Sequence, residues 1–399
     1  MKKSPLFVIF TTVLVDLIGF GMIIPLIGLY GKHFGANGIQ LSILGAIFSL
    51  MQFFFTPFWG ALSDRVGRRP IILISLLGST TSYVMFALAP NLGWLLASRA
   101  FAGLFAANIS AAQAYIADVT TPADRAKGMG LLGAAFGIGF ILGPPLGGIA
   151  SAKLGLAAPG LIAATICGLN FILAIFRLPE SLPPEKRTQT RTRSLAPLQL
   201  KRLGEAMRHP ELGFLFIAFF GVTFAFSNME QTVSLLFQEK FHLDIGTAGY
   251  KTGLVLMASG VIGALVQGGL IRKLVLRYGE RKLLLIGLAF NLVTMILFPF
   301  GPVYWIYFLL AVPLAVGSSL VNPSISALTS KSAGTQEQGA VLGISQGLGS
   351  LARALGPFCG LLTFQIQPYF PYLIAAVISC LLLIAGSRIW AKTDLLPTP

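Results

Sequence analysis

The sequence predicts an all-α integral membrane protein: twelve transmembrane helices in two pseudo-symmetric halves of six. Three observations predict it. Twelve apolar runs are each long enough to cross a bilayer. Landmarks in the first half recur in the second at a constant offset. Lys and Arg crowd into alternate loops. Composition agrees, with 55% hydrophobic and 11% charged residues, where soluble chains carry about 25% charged residues. The length of 399 residues alone would suggest two or three soluble domains; the composition overrides that.

The runs, numbered as spans 1 to 12, are 6–30, 41–62, 70–89, 93–117, 128–151, 158–178, 212–237, 247–271, 283–300, 303–328, 338–362 and 369–390. About 20 apolar residues cross a hydrocarbon core. The runs are continuous rather than alternating with period two, which excludes a β-barrel. Gly and Pro number 45 and 23 and recur inside the runs, as membrane helices tolerate. The start, "MKK" before an apolar stretch, resembles a signal peptide. The stretch is too long for one and contains Asp16, so span 1 is expected to be retained. The longest hydrophilic stretch is rich in Pro, Arg and Thr and reads as a linker. It gives a six-helix bundle over 1–178, a cytoplasmic linker over 179–211 and a second bundle over 212–399.

The net charge is +15. Of 29 Lys and Arg, 23 fall in the loops of one side and four, Lys32, Lys153, Lys240 and Lys251, in those of the other; Arg99 and Arg353 fall inside spans. By the positive-inside rule both termini are cytoplasmic. The basic excess is thus a topology signal and not a nucleic-acid footprint. The expected location is the cell membrane, multi-pass, and in a bacterium the inner membrane. Cys167, Cys359 and Cys380 have unrelated spacings, and the three histidines fall in loops or helix ends, so neither a disulfide framework nor a metal site is expected. No cofactor motif, nucleophile triad or phosphate loop stands out, and the loops are too short for a catalytic domain. An enzyme is not expected.

The repeat is specific. "DRVGRR" (Asp64–Arg69) follows span 2 and "LRYGER" (Leu276–Arg281) follows span 8, with Arg65-x-Gly67 on Arg277-x-Gly279 at a shift of 212. Gly143-Pro144 in span 5 matches Gly356-Pro357 in span 11 at 213. Parallel repeats around a midplane site are a transporter plan. Asp16, about ten residues and thus about 15 Å into span 1, sits near the midplane. A shift of 214 from it lands on Glu230 in span 7. Such acids either pair with an internal arginine to fix packing or face a central cavity; depth favours the second. Arg99 in span 4 needs an anion or carbonyl partner. Asn108, Gln113, Asn228, Gln231 and Asn322 either line the cavity or tie helices together. Arg353 in span 11 either counters Glu230 or attracts an anionic substrate.

Several motifs carry a resemblance. "GALSDRVGRRP" (Gly60–Pro70) resembles the loop motif of the major facilitator superfamily. "ASRAFAGLFAA" resembles the Arg-x-x-x-Gly motif of its fourth helix, and "GAAFGIGFILGPPLGG" (Gly133–Gly148) its antiporter motif. "AYIADVTTPADRAKGMG" is similar to the tetracycline-efflux-like branch of the twelve-helix drug:proton antiporters. The resemblance implies the major facilitator fold and a cytoplasmic gate of Gly60, Asp64, Arg65, Gly67, Arg68, Arg69 and Asp118. In it Asp64 faces the N-terminus of span 11 and Asp118 pairs with Arg68. Gly60 is expected to permit close helix approach, and Gly67 a tight turn. In the antiporter motif, Gly139, Gly143, Pro144, Gly147 and Gly148 are expected to let helices pack backbone to backbone, with Pro144 permitting a bend. Arg99 would join Asp16 and Glu230 in proton coupling.

The chain departs from tetracycline exporters where they carry acids: Ser82 stands in span 3 and Asn291 in span 9, and 247–271 contains no histidine. The function expected is proton-coupled antiport, exporting a small amphiphilic organic solute or drug by alternating access. The alternative is a proton symporter or facilitator for a nutrient or organic anion on the same fold. The expected partners are that solute, protons and the lipid bilayer, with the protein acting as a monomer.

Overall fold

A computed structural model describes residues 5–106, 108–121, 124–187, 204, 207, 209–332 and 338–393. Most of the expected linker (188–203, 205, 206 and 208) and both termini lie outside the described residues. The described residues form helices and connecting turns, with no strand among them.

The elements are α1 (Pro5–Ile23), α2 (Ile27–His33), α3 (Gly38–Val66), α4 (Arg68–Ala87), α5 (Leu92–Leu104), α6 (Asn108–Val119), α7 (Arg125–Leu154) and α8 (Ala158–Arg177). After the linker come α9 (Pro210–Lys240), α10 (Ile245–Leu265), α11 (Ile271–Leu297), α12 (Ile306–Ser332), α13 (Gln338–Phe364) and α14 (Phe370–Thr393). Among the described residues, ten helical stretches are long and apolar enough to cross a membrane. One of them, Ile245–Phe300, runs 56 residues, over twice what a bilayer needs, and breaks helical geometry at Gly279 (φ 73°, ψ 158°). The 27-residue α13 adds to these. The twelve expected spans are consistent with this arrangement. Large apolar side chains such as Phe176, Leu309 and Leu381 are exposed, as lipid-facing helices require.

Local chemistry places the helix starts. Asn37 caps α3 in a reciprocal box: its Oδ1 accepts from the Gln40 amide at 3.0 Å, and Gln40 Oε1 accepts from the Asn37 amide at 2.9 Å. Asn91 Oδ1 caps α5 at the Trp94 amide. Gly67 separates α3 from α4 at φ 110° and ψ 161°, nearly the backbone shape of Gly279. The repeat read from sequence thus extends to two turns that only glycine adopts without strain.

The fourth span differs from its expectation. It is two helices, α5 and α6, interrupted at Phe105 and Ala106. The stretch "AFAGLFAANIS" holds no proline, and its weakest helix former is Gly103, two residues before the break. The freed carbonyls are satisfied from neighbouring helices: Leu104 O accepts from Trp59 Nε1 at 2.6 Å, Phe105 O from Ser75 Oγ at 2.5 Å, and Ala106 O from Gln52 Nε2 at 3.5 Å. Broken helices persist at membrane depth where such partners exist.

The chain divides into two compact units, Met1–Pro197 with Val233–Met257, and Leu198–Thr232 with Ala258–Pro399. In the first, α7 crosses α1 at backbone distance. A Cβ on Gly143 would lie 2.7 Å from Gly21 Cα, and one on Gly147 2.1 Å from Met22 O. On the neighbouring edge of α7, a Cβ on Gly148 would meet Tyr250 Cα at 2.5 Å, and one on Gly253 of α10 would meet Pro144 O at 2.6 Å. Gly139 abuts Leu17. Small residues at such interfaces let membrane helices approach closely and associate through van der Waals packing. Gly133 and Gly137 of the same run face open space. Gly147→Leu should therefore lower the melting temperature of detergent-solubilised protein by the equivalent of about 1–3 kcal/mol or more. Gly137→Leu should leave it unchanged. Equal losses in the two variants would refute this account of α7.

In the second unit, Phe214, Leu215, Leu284, Leu288, Val321 and Ile325 form the buried core. Glu211 at the start of α9 ties its base together. It accepts from the Arg281 guanidinium at 3.0–3.2 Å and from Trp390 Nε1 at 3.1 Å.

Candidate functional site

Three polar constellations stand out. The first surrounds Asp16 on α1. Asn108, the first residue of α6, donates from Nδ2 to Asp16 Oδ2 at 3.2 Å. The Cys167 thiol of α8 lies 3.8 Å from Asp16 Oδ1. The break in the fourth span thus puts a helix start, with its partial positive charge, beside the acid. Asn108 is 2% exposed and its Oδ1 has no protein partner. Arg99 is 3% exposed. Among the described residues no carboxylate pairs with it; it stacks over the Phe48 ring at 4.8 Å. Gln113 on α6 is exposed.

The second lies in the other unit. Glu230 on α9 is 7% exposed, and Arg353 of α13 is near enough for its charge to act on it. Arg353 donates to Ser350 Oγ at 3.2 Å. Gln231 is buried with an unpartnered Oε1. Asn228 bonds the Pro371 carbonyl at 3.1 Å and packs where Gly360 leaves room, so it ties α9 to the start of α14. Asn322 is exposed on α12.

The third is at the turn between α3 and α4. Arg68 pairs with Asp64 one helical turn earlier, with Asp118 Oδ2 at 3.1 Å, and with Ser63 Oγ at 2.7 Å. Asp64 and Arg68 are buried. Arg69 donates to the Ile175 carbonyl at 2.7 Å, and Arg65 is exposed. An added Cβ on Gly60 would meet nothing within 4 Å, so close packing is not what that glycine provides here.

Sequence reasoning passed over three participants. Glu180 and Ser181 read as linker residues. Yet Ser181 Oγ donates to Asp118 Oδ2 at 3.1 Å, and Glu180 receives the amides that open α4. The third is an ion pair between Lys331 and Glu280, whose hydrogen bond holds the Glu280 carboxyl below its ordinary range. A signal for it existed. The shift of 212 carries Arg68 onto Glu280, and the shift of 213 carries Asp118 onto Lys331. The second half keeps the ion pair of the first and reverses its polarity. The residues that stand in for tetracycline-exporter acids are used locally: Ser82 Oγ donates to Ser79 O at 2.7 Å, and Asn291 packs where Gly317 leaves room.

Comparison with known proteins is consistent across the chain. The family model described as Major Facilitator Superfamily matches residues 9–357 and 270–394. The chain is 34% identical over 363 residues to tetracycline resistance protein, class C, of Escherichia coli, covering 89% of this chain and 88% of that protein. It is 29% identical to multidrug resistance protein 2 of Bacillus subtilis (strain 168), covering 94% and 93%. The crystal structure of the human organic anion transporter MFSD10 superposes with a TM-score of 0.71 at 27% identity, covering 96% of this chain and 99% of that one.

Proposed function

The chain belongs to the major facilitator superfamily and is a multi-pass membrane transporter, not an enzyme; on that premise we propose that it is a proton-coupled antiporter exporting small amphiphilic organic solutes or drugs. The observation that carries this reading is Asp16. An acid inside an apolar span is costly, and this one is held from two helices by groups that suit a carboxylate, the Asn108 amide and the Cys167 thiol. Proton and solute compete: a protonated Asp16 favours one access state and a solute-bound, ionised site the other. An inward proton releases about 1.4 kcal/mol per pH unit and about 2.3 kcal/mol per 100 mV, enough for a tenfold or greater solute gradient. Asp64, Arg68 and Asp118 form the cytoplasmic gate. Gln113, Gln231 and Asn322 are the polar groups assigned to solute contact. Arg99 serves coupling through the Asp16 cluster. The protein acts as a monomer in the bacterial inner membrane with both termini cytoplasmic, and without nucleic-acid partners.

Inside-out vesicles test the reading. An inward-acid gradient should drive uptake of tetracycline or the amphiphilic cation ethidium, and an ionophore should abolish it. Uptake that ignores the gradient would sink proton coupling. One observation favours the second reading: α13 carries a cation, Arg353, within its apolar run, and the human relative is titled an organic anion transporter. Fluorescein transport in place of ethidium transport would select it. Glu230→Gln should weaken ethidium uptake about tenfold, the size of one 1.4 kcal/mol interaction, and tetracycline uptake far less. Equal losses for both probes would remove Glu230 from cation recognition.

A further inference from the structure

The helix α4 opens without an ordinary cap. Its first amides need acceptors, and the residue in the cap position is Gly67, which has no side chain to offer. The acceptor comes from more than a hundred residues downstream. Glu180 Oε1 accepts from the Arg68 amide at 2.9 Å, and Oε2 from the Arg69 amide at 3.3 Å. The same Oε1 accepts from the amides of Ser181 and Leu182, each at 3.0 Å. Arg187 pairs with Oε2 at 3.6 Å and donates from Nε to the Leu182 carbonyl at 3.1 Å, closing the segment on itself. A Cβ on Gly67 would sit 2.3 Å from Glu180 Oε2. The glycine of the loop motif thus does two jobs: it adopts φ 110° and it leaves space for this carboxylate.

We propose that Glu180 is a positioning residue of the cytoplasmic gate, and that the strap Leu178–Arg187 is a working part of that gate. The capped amides belong to Arg68 and Arg69. Arg68 is the residue that bridges Asp64 and Asp118, so fixing its backbone fixes the bridge. Ser181, next to Glu180, reaches the same Asp118 oxygen as Arg68. One short segment therefore grips both sides of the bridge. A carboxylate at a helix N-terminus is favoured by the helix dipole. Moving the strap would release Arg68 and Asp118 together.

This inference rests on the gate assignment above, and its test separates the two. The full chain is reconstituted in proteoliposomes. Hydrogen exchange at the Arg68 and Arg69 amides needs no substrate. Glu180→Gln, and independently Gly67→Ala, should speed it about fivefold, as losing a cap does. Unchanged exchange in Glu180→Gln overturns the proposal. The second readout is gradient-driven ethidium movement. In Glu180→Gln the maximal rate should fall about tenfold with KM within about twofold, the pattern of a lost turnover step rather than lost binding. Faster exchange with an unchanged maximal rate also overturns it, because the cap is then only structural. If the wild-type protein moves neither ethidium nor tetracycline, drug export fails, and the gate role is read from maleimide labelling. Ser63→Cys would serve as reporter, with Cys167, Cys359 and Cys380 replaced. Labelling must be about tenfold faster in Glu180→Gln, since opening controls access to a buried site; equal rates overturn the proposal.

Discussion

Asp16→Asn should abolish gradient-driven transport, by about a hundredfold or more, while yield and melting temperature hold. A neutral amide is cheaper than a carboxylate in an apolar span, so the variant loses chemistry without losing the fold. Among the charged residues it is the one acid inside the first six spans. Its neighbours suit both protonation states. Asn108 Nδ2 donates to the ionised carboxylate at 3.2 Å. The unpartnered Asn108 Oδ1 is an acceptor for the protonated acid once the amide turns over. Asn108→Leu should therefore slow transport too, with a shifted pH profile, while Asn108→Gln retains part of it. Proton release on adding ethidium to detergent-solubilised protein reads the assignment directly. Release that survives in Asp16→Asn and vanishes in Glu230→Gln would transfer the role to Glu230. Release unaffected by either change would make both acids structural.

How far the sequence reaches depends on the range of the force concerned. Spans are legible because burial in lipid is set by composition over about 20 residues. The turns at Gly67 and Gly279 are legible because backbone geometry demands glycine. The interruption at Phe105 is not legible. It is stabilised by Trp59, Ser75 and Gln52, far away in sequence, and a lone Gly103 among the many glycines of these spans does not mark it. Glu180 was hidden for a similar reason: a carboxylate in a Pro- and Arg-rich segment has the composition of a linker, and only tertiary structure brings it to α4. Gly60 erred in the other direction. The motif suggested close packing, and the space around it is open.

The two related ion pairs should respond oppositely to charge reversal. Arg68→Glu would set a third carboxylate beside Asp64 and Asp118, in a turn where Asp64 and Arg68 are buried. Breaking a buried pair costs about 3–5 kcal/mol, so transport should fall at least a hundredfold. Adding Asp118→Lys should not restore it. The new lysine would answer one carboxylate, while the new glutamate would still meet Asp64 four residues away on the same side. In the second half the position matching Asp64 is Leu276, which is 80% exposed and uncharged. There Glu280 and Lys331 form a simple pair, and the Lys331 side chain is 64% exposed. Exposed pairs contribute about 0–1 kcal/mol. Glu280→Lys alone should therefore slow ethidium transport no more than about threefold, and Glu280→Lys with Lys331→Glu should return it to the wild-type rate. The two double reversals, measured as initial rates in the same proteoliposomes, decide the matter. Rescue in the first half would mean that Asp64 does not act on Arg68. Failure of rescue in the second would mean that the polarity of Glu280 and Lys331 is itself required, by a charge outside the pair.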